Sequence, residues 1–209
     1  MERDLHQLVA YFNNISKNQD RFIIAIYGPG GSGKSFFLEK LSSVLKNYDI
    51  VHFDDFYLPK YDPEIVGSNF DWRRLIDQVL SPFVKHISCK YLFFDWNVNK
   101  LDGWKEIDAK RYLIIDGVTS GRLELRKYLN FIIFIETPPE IRLRRGIERD
   151  GENFRNIWVN EWMPNEFKYF NSDIHRTKSI CDLIVDGTFT DTSNINRIKT
   201  IYEKNNYFV

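Results

Sequence analysis

Fully apolar runs alternate along this chain with segments whose apolar residues recur at helical spacing. The runs are "RFIIAIYG" (21–28), "RYLIIDG" (111–117), "LNFIIFIE" (129–136) and "CDLIVDG" (181–187), with the more mixed "DIVHFDD" (49–55) as a fifth. A strand that is apolar at every position is buried on both faces, as in a parallel sheet. Leu5, Leu8, Val9, Phe12 and Ile15 predict an amphipathic helix over 3–18, and Phe37, Leu38, Leu41, Val44 and Leu45 predict another over 34–46. "DWRRLIDQVL" (71–80) predicts a third, which Ser81 and Pro82 end or kink. "TPPE" (137–140) predicts a further start, with Thr137 as cap, Pro138 in the first turn and Glu140 closing a capping box; that helix runs to Asp150. Helical character continues over 151–178, and a closing helix is expected over 193–203.

Strands alternating with helices give a mostly parallel sheet covered on both sides, a three-layer α/β/α arrangement. Residues 90–96 and 103–109 read instead as two short strands around a turn. With no repeat and no linker, one domain is expected over 1–209. Its 57–110 segment is a substrate-side insertion at the C-terminal edge of the sheet, where such folds bind ligands.

Composition narrows the function classes. Apolar residues make up 43% and charged residues 28%, which suits a buried core rather than disorder. Lys+Arg and Asp+Glu both number 29, against a chain whose main task is coating nucleic acid. Cys89 and Cys181 form no CxxC and read as reduced thiols. The N-terminal "MERDLHQLVA" lacks the apolar core of a signal peptide, and no run reaches the roughly 20 apolar residues of a membrane span. A cytoplasmic protein is therefore expected. His6, His52, His86 and His175 show no metal-binding spacing and read as structural or surface residues.

The first apolar run ends in chemistry. Gly28-Pro29-Gly30-Gly31-Ser32-Gly33-Lys34-Ser35 fits GxxxxGK[ST], between a buried strand and a helix. Glycines let main-chain N–H groups curl inward on a phosphate, and the helix that follows aims its positive end at the same point. Lys34 is placed to bridge β- and γ-phosphates, and Ser35 to offer a hydroxyl to Mg²⁺. The second protein anchor for the metal is assigned to Asp116, at the end of "YLIID".

Such a loop serves switches and transferases alike. "NKLD" (99–102) fits the guanine-reading pattern of GTPases, but it precedes Asp116 where in GTPases it follows the strand-end acid, and its residues are those of a polar turn. Two features favour transfer. "HFDDFY" (52–57) carries Asp54 and Asp55 at a strand end, where a base is needed to take a proton from an acceptor alcohol; only one of the pair can point at the γ-phosphate, and the residues alone do not choose. On a helix, Arg142, Arg145 and Arg149 fall within about 60° of one another and form a cationic stripe, while Arg144 turns away toward Glu148. A stripe of this kind suits a helical lid over 138–150 that neutralises transferring charge.

The phosphate loop, "FDDFY", "NFDW", "YLIIDG" and the arginine-rich helix follow one another as in the phosphoribulokinase/uridine kinase family of P-loop kinases, which residues 21–187 resemble. The resemblance to bacterial uridine kinase-like proteins runs through "FDWRRLIDQVLSPF", "LRRGIERDG" and "EWMPNEFKYF". It implies a P-loop NTPase fold and ATP- and Mg²⁺-dependent phosphoryl transfer to a small-molecule hydroxyl, most readily a nucleoside; the alternatives are a kinase of the same fold with a pantothenate- or sugar-like acceptor, and a nucleotide-binding regulatory P-loop ATPase or GTPase without an acceptor. It implies Asp54 as base, Lys34, Arg145 and Arg149 as catalytic partners, and Arg142 with residues 28–35 at the nucleotide. It implies Tyr57 and Asp71 at the acceptor, with Phe94 and Asn99 at the positions that read the pyrimidine in uridine–cytidine kinases, where a tyrosine and a histidine stand. Family members are often homo-oligomers.

Overall fold

The computed structural model describes residues 1–60, 67–108, 110–172, 180–188 and 196–208. His175, Ala109 at the end of the predicted 103–109 strand, and 193–195 at the start of the predicted closing helix lie outside these residues. A seven-stranded sheet forms the centre, built from β1 (Glu2–Asp4), β2 (Phe22–Tyr27), β3 (Tyr48–His52), β6 (Tyr112–Asp116), β7 (Phe131–Glu136), β8 (Leu183–Asp186) and β9 (Arg197–Glu203) in the order β1-β9-β8-β7-β2-β6-β3. Strands β3, β6, β2, β7 and β8 are parallel, and β9 and β1 close one edge antiparallel. β4 (Cys89–Asp95) and β5 (Lys100–Ile107) form a separate antiparallel hairpin.

The pleat sends alternate residues of the central strands to two cores. Ile24, Ile26, Ile114, Ile133 and Ile135 pack with α1 (Leu5–Ile15) and α2 (Lys34–Val44) through Leu8, Phe12, Leu38 and Leu41. Ile23, Leu113 and Ile115 pack on the other face against Leu75, Val79, Leu80 and Phe83 of the helical stretch 72–84 (α3). Both faces of the sheet are thus covered, as the continuous apolar runs require. Tyr207 and Phe208 seal the first core near the C-terminal end.

Three local expectations differ from what is observed, and at Ser81 and Pro82, where an end or a kink is expected, the helix does not end. Residues 197–203 form edge strand β9, not a helix. Ile198, Ile201 and Tyr202 imitate helical spacing, but the inward positions are Ile198 and Thr200, so a polar side chain hides the alternation. Asp54 and Asp55 lie beyond β3, on the 3₁₀ turn Phe53–Phe56. α3 runs past Pro82: Ile76–Leu80 widens into a π turn that accommodates the ring, and Ser81–Val84 continues the helix. Thr137 does not cap α4 (Pro139–Asp150); Pro138 holds that position, and the Thr137 hydroxyl donates to Ser32 O at 2.8 Å.

Candidate functional site

Residues 28–35 link β2 to α2, and the sequence forces a tight path. Gly33 caps α2 with φ of 100°, and Gly31 has φ of 71°. A side chain on Gly31 would meet Arg142 O at 2.5 Å, so α4 lies directly on the loop. Lys34 folds along it, its Nζ donating to Gly28 O at 2.9 Å and Pro29 O at 3.0 Å. Burial lowers the Lys34 pKa, while Asp116, Glu166 and Asp54 act in the opposite sense. Lys34 lines the same cavity as these three carboxylates.

Around this loop is a cavity of about 580 Å³. Its lining takes in residues 30–35, Asp54, Asp116, Thr119, Arg145 and Arg149 at one end. Six aromatic residues also line it: Tyr57, Phe70, Trp96, Trp158, Trp162 and Tyr169.

The two neighbouring acids have different surroundings. Asp55 is buried and filled: Lys105 Nζ reaches its two carboxylate oxygens at 2.8 and 2.9 Å, and Tyr91 OH donates at 2.9 Å. These contacts pin the β4–β5 hairpin to the turn. Asp54 lines the cavity and is exposed to it, with protein around its other sides. That surrounding protein raises its pKa, Lys34 opposes the rise and Asp116 adds to it. Asp116 receives His52 Nδ1 at 3.3 Å on Oδ2, while its buried Oδ1 has no hydrogen-bond partner among the described residues. His52, half exposed, has its pKa raised by that hydrogen bond.

The arginine stripe divides. Arg145 and Arg149 line the cavity, with Arg145 Nη1 donating to Gly187 O at 2.9 Å. Arg142 is buried beside the loop and pairs with Glu166 at 2.9 Å. Arg144 turns outward, 3.9 Å from Glu148.

Of the four residues expected at an acceptor, only Tyr57 lines the cavity. Asp71 instead caps α3, accepting from Arg74 N–H at 3.0 Å, because an aspartate ahead of a helix satisfies a free amide there. Phe94 is buried edge-on behind Tyr57 and Trp96, with centroids 5.0 and 4.9 Å away. The hairpin register shifts between Leu92 and Phe94, and Trp96 is the residue of this strand end that reaches the cavity. Asn99 occupies the exposed hairpin turn with φ of 52°, so "NKLD" also lies outside the lining.

The sequence reading passes over Trp96 and Thr119, takes Trp158, Trp162 and Tyr169 as core in preference to a wall over the acceptor, and takes His52 as structural; Trp96, Thr119, Trp158, Trp162 and Tyr169 line the cavity, and His52 bonds Asp116. Trp158 and Tyr169 come from a helical stretch over 155–171 (α5), whose middle, Trp158–Trp162, is a π turn. The available signal was the density of aromatics in "NIWVNEWMPNEFKYF", which reads equally as core. The Trp158 ring sits over Gly146, where a side chain would approach it to 2.4 Å. The glycine inside α4 thus makes room for the indole.

Among the described residues no group of three or more His, Cys, Asp or Glu could hold a metal by itself, and no helix is long and apolar enough to cross a membrane.

The KAP family P-loop domain matches residues 5–183. The chain is 28% identical over 178 residues to a uridine kinase of Borrelia turicatae, covering 78% of this chain and 85% of that protein. It is 24% identical over 186 residues to a uridine kinase of Latilactobacillus sakei, covering 81% and 87%. A solved structure described as a possible uridine kinase from Bacillus stearothermophilus superposes with a TM-score of 0.63 at 17% identity, over 86% of this chain and 98% of that one, and so shares the fold. With its phosphate loop set between β2 and α2 and its mostly parallel sheet, the chain belongs to the KAP family of P-loop domains and is uridine kinase-like.

Proposed function

We propose that this protein is an ATP-dependent kinase that transfers the γ-phosphoryl group to a hydroxyl of a small molecule, with a nucleoside such as uridine as leading acceptor. The observation that carries this reading is the cavity itself, which places the phosphate loop, Asp54 and an aromatic wall around one space. Phosphoryl transfer needs little from the protein beyond alignment and charge stabilisation. Lys34 and the loop amides hold the β- and γ-phosphates. Asp54 accepts the proton of the acceptor hydroxyl and holds its oxygen in line. Arg145 and Arg149 neutralise charge on the transferring group. Aromatic faces suit a flat ring on the acceptor.

The residues present fit a magnesium ion. Asp116 has a buried carboxylate oxygen without a partner among the described residues, and Ser35 lines the same cavity. Mg²⁺ is commonly held by one or two protein groups together with substrate phosphates, in keeping with so small a donor set. When bound, it would offset the negative charge of those phosphates.

A second acceptor class, pantothenate- or sugar-like, is favoured by one observation: Phe94 and Asn99, the positions assigned to pyrimidine reading, do not line the cavity. Stimulated ADP release across nucleosides, pantothenate and sugars tests both readings. Uridine is expected to accelerate it. Acceleration by pantothenate or a sugar alone would move the acceptor to the second class, and slow hydrolysis that nothing accelerates would refute a kinase.

A further inference from the structure

Glu166 stands where a phosphate-binding loop has least use for a negative charge. Its Oε1 accepts the Gly30 N–H at 2.7 Å, and its Oε2 accepts from Arg142 Nη1 at 2.9 Å. The carboxylate lines the cavity and its side chain is 13% exposed. Burial raises its pKa, while Gly30 N–H, Arg142 and Lys34 hold it down. Its own helical stretch also lays the Trp158 ring on Gly30, 2.9 Å from where a side chain would begin.

Its position along the loop can be read from Lys34. That ammonium reaches back to Gly28 O and Pro29 O, so the tip that serves the β- and γ-phosphates lies beside the entry of the loop, next to Gly30. The other loop amides, toward Ser35 and the start of α2, lie at the opposite end. Glu166 and Lys34 also interact electrostatically. A carboxylate at the Gly30 end is therefore closer to a terminal phosphate than to the rest of a nucleotide.

We propose that Glu166 is a specificity-determining residue that weighs a nucleoside triphosphate against a diphosphate, by setting a negative charge against the terminal phosphate. The proposal rests on reading the cavity as a nucleotide site. If the carboxylate stays, repulsion falls mainly on the γ-phosphate. If it is displaced, the triphosphate bears the cost of breaking the Gly30 and Arg142 contacts. Either way the burden is lifted once the γ-phosphoryl has left, so the device favours diphosphate over triphosphate and draws the site toward its product state. Arg142 is then a partner that keeps Glu166 ionised and aimed at the loop rather than a phosphate contact.

The test is binding calorimetry on the purified protein with the magnesium complexes of AMP-PNP and of ADP. Glu166→Gln keeps an oxygen for the Gly30 N–H and removes the charge. It is expected to tighten AMP-PNP about tenfold while changing ADP by less than about threefold. Glu148→Gln, on the exposed face of α4, is expected to leave the ratio unchanged. Equal changes for both nucleotides, or none, would overturn the proposal, because a merely structural residue would act on both alike. Failure of either nucleotide to bind the wild type would overturn the site reading and this proposal with it. Should Glu166→Gln not fold, hydrogen exchange of the wild type decides: AMP-PNP must change protection over 155–171 more than ADP does, and identical patterns would refute the role.

Discussion

At one end of the cavity the main-chain cradle belongs to a single strand–loop–helix unit, residues 30–35 where β2 passes into α2. At the other the lining consists of side chains gathered from distant segments: Tyr57 after the 3₁₀ turn, Phe70 before α3, Trp96 at the hairpin and Trp162 on α5. The first end is set by local backbone conformation and by the sheet beneath it. The second depends on how four separate pieces of chain dock. A local unit can be recognised from eight consecutive residues, whereas a wall made by docking can change its chemistry through any one contributor. The phosphate end thus identifies a family, and under the proposed function the aromatic end is where the acceptor is chosen.

The contrast predicts that damage at the two ends will separate in kinetics. Lys34→Ala is expected to lower turnover about a thousandfold by removing the cation at the β- and γ-phosphates, measured as ADP formation under saturating acceptor. An active Lys34→Ala protein would remove the phosphate-loop argument. Trp96→Ala is expected to raise the acceptor KM about tenfold and leave nucleotide affinity within about twofold, since only the wall loses a stacking face. Equal effects on both substrates would mean that the two ends are not separable.

Smaller effects are expected in stability. Gly146→Ala places a methyl group against the Trp158 ring and should destabilise the protein by about 1–3 kcal/mol, read as a lower denaturation midpoint. Lys105→Met leaves Asp55 with only the Tyr91 hydroxyl and should cost about 1–2 kcal/mol; Lys105 is itself partly exposed, which limits the figure. An unchanged midpoint in that variant would show that the hairpin is held without this ion pair.

The parallel core was legible because every position of Phe22–Tyr27 and Phe131–Ile135 is apolar, leaving no helical period to compete. The phosphate loop was legible because glycine spacing and a following helix are both local. β1 was not, because Glu2–Asp4 is wholly charged and its place in the sheet comes from pairing with β9. The aspartate pair was located, but their separation arises from a turn and from Lys105 and Tyr91 arriving fifty and thirty-six residues later, not from strand alternation. Asp71 and Phe94 show the same limit. One is used by its own helix and the other is buried by its hairpin, and neither outcome is written within a few residues of the position.

The most direct test compares Asp54→Asn with the wild type in one preparation, measuring nucleotide affinity by calorimetry and acceptor-stimulated ADP release together. The variant should bind the nucleotide within about threefold of the wild type and lose transfer by about 10²–10⁴-fold. Because the surrounding protein raises the Asp54 pKa, protonation disables the wild-type base at higher pH than for an ordinary aspartate, so turnover should fall on acidification before the usual carboxylate range, and that limb should be absent from the residual activity of the variant. Near-normal transfer by Asp54→Asn would contradict the assignment of Asp54 as the base and, with it, the account of the cavity as a site of phosphoryl transfer.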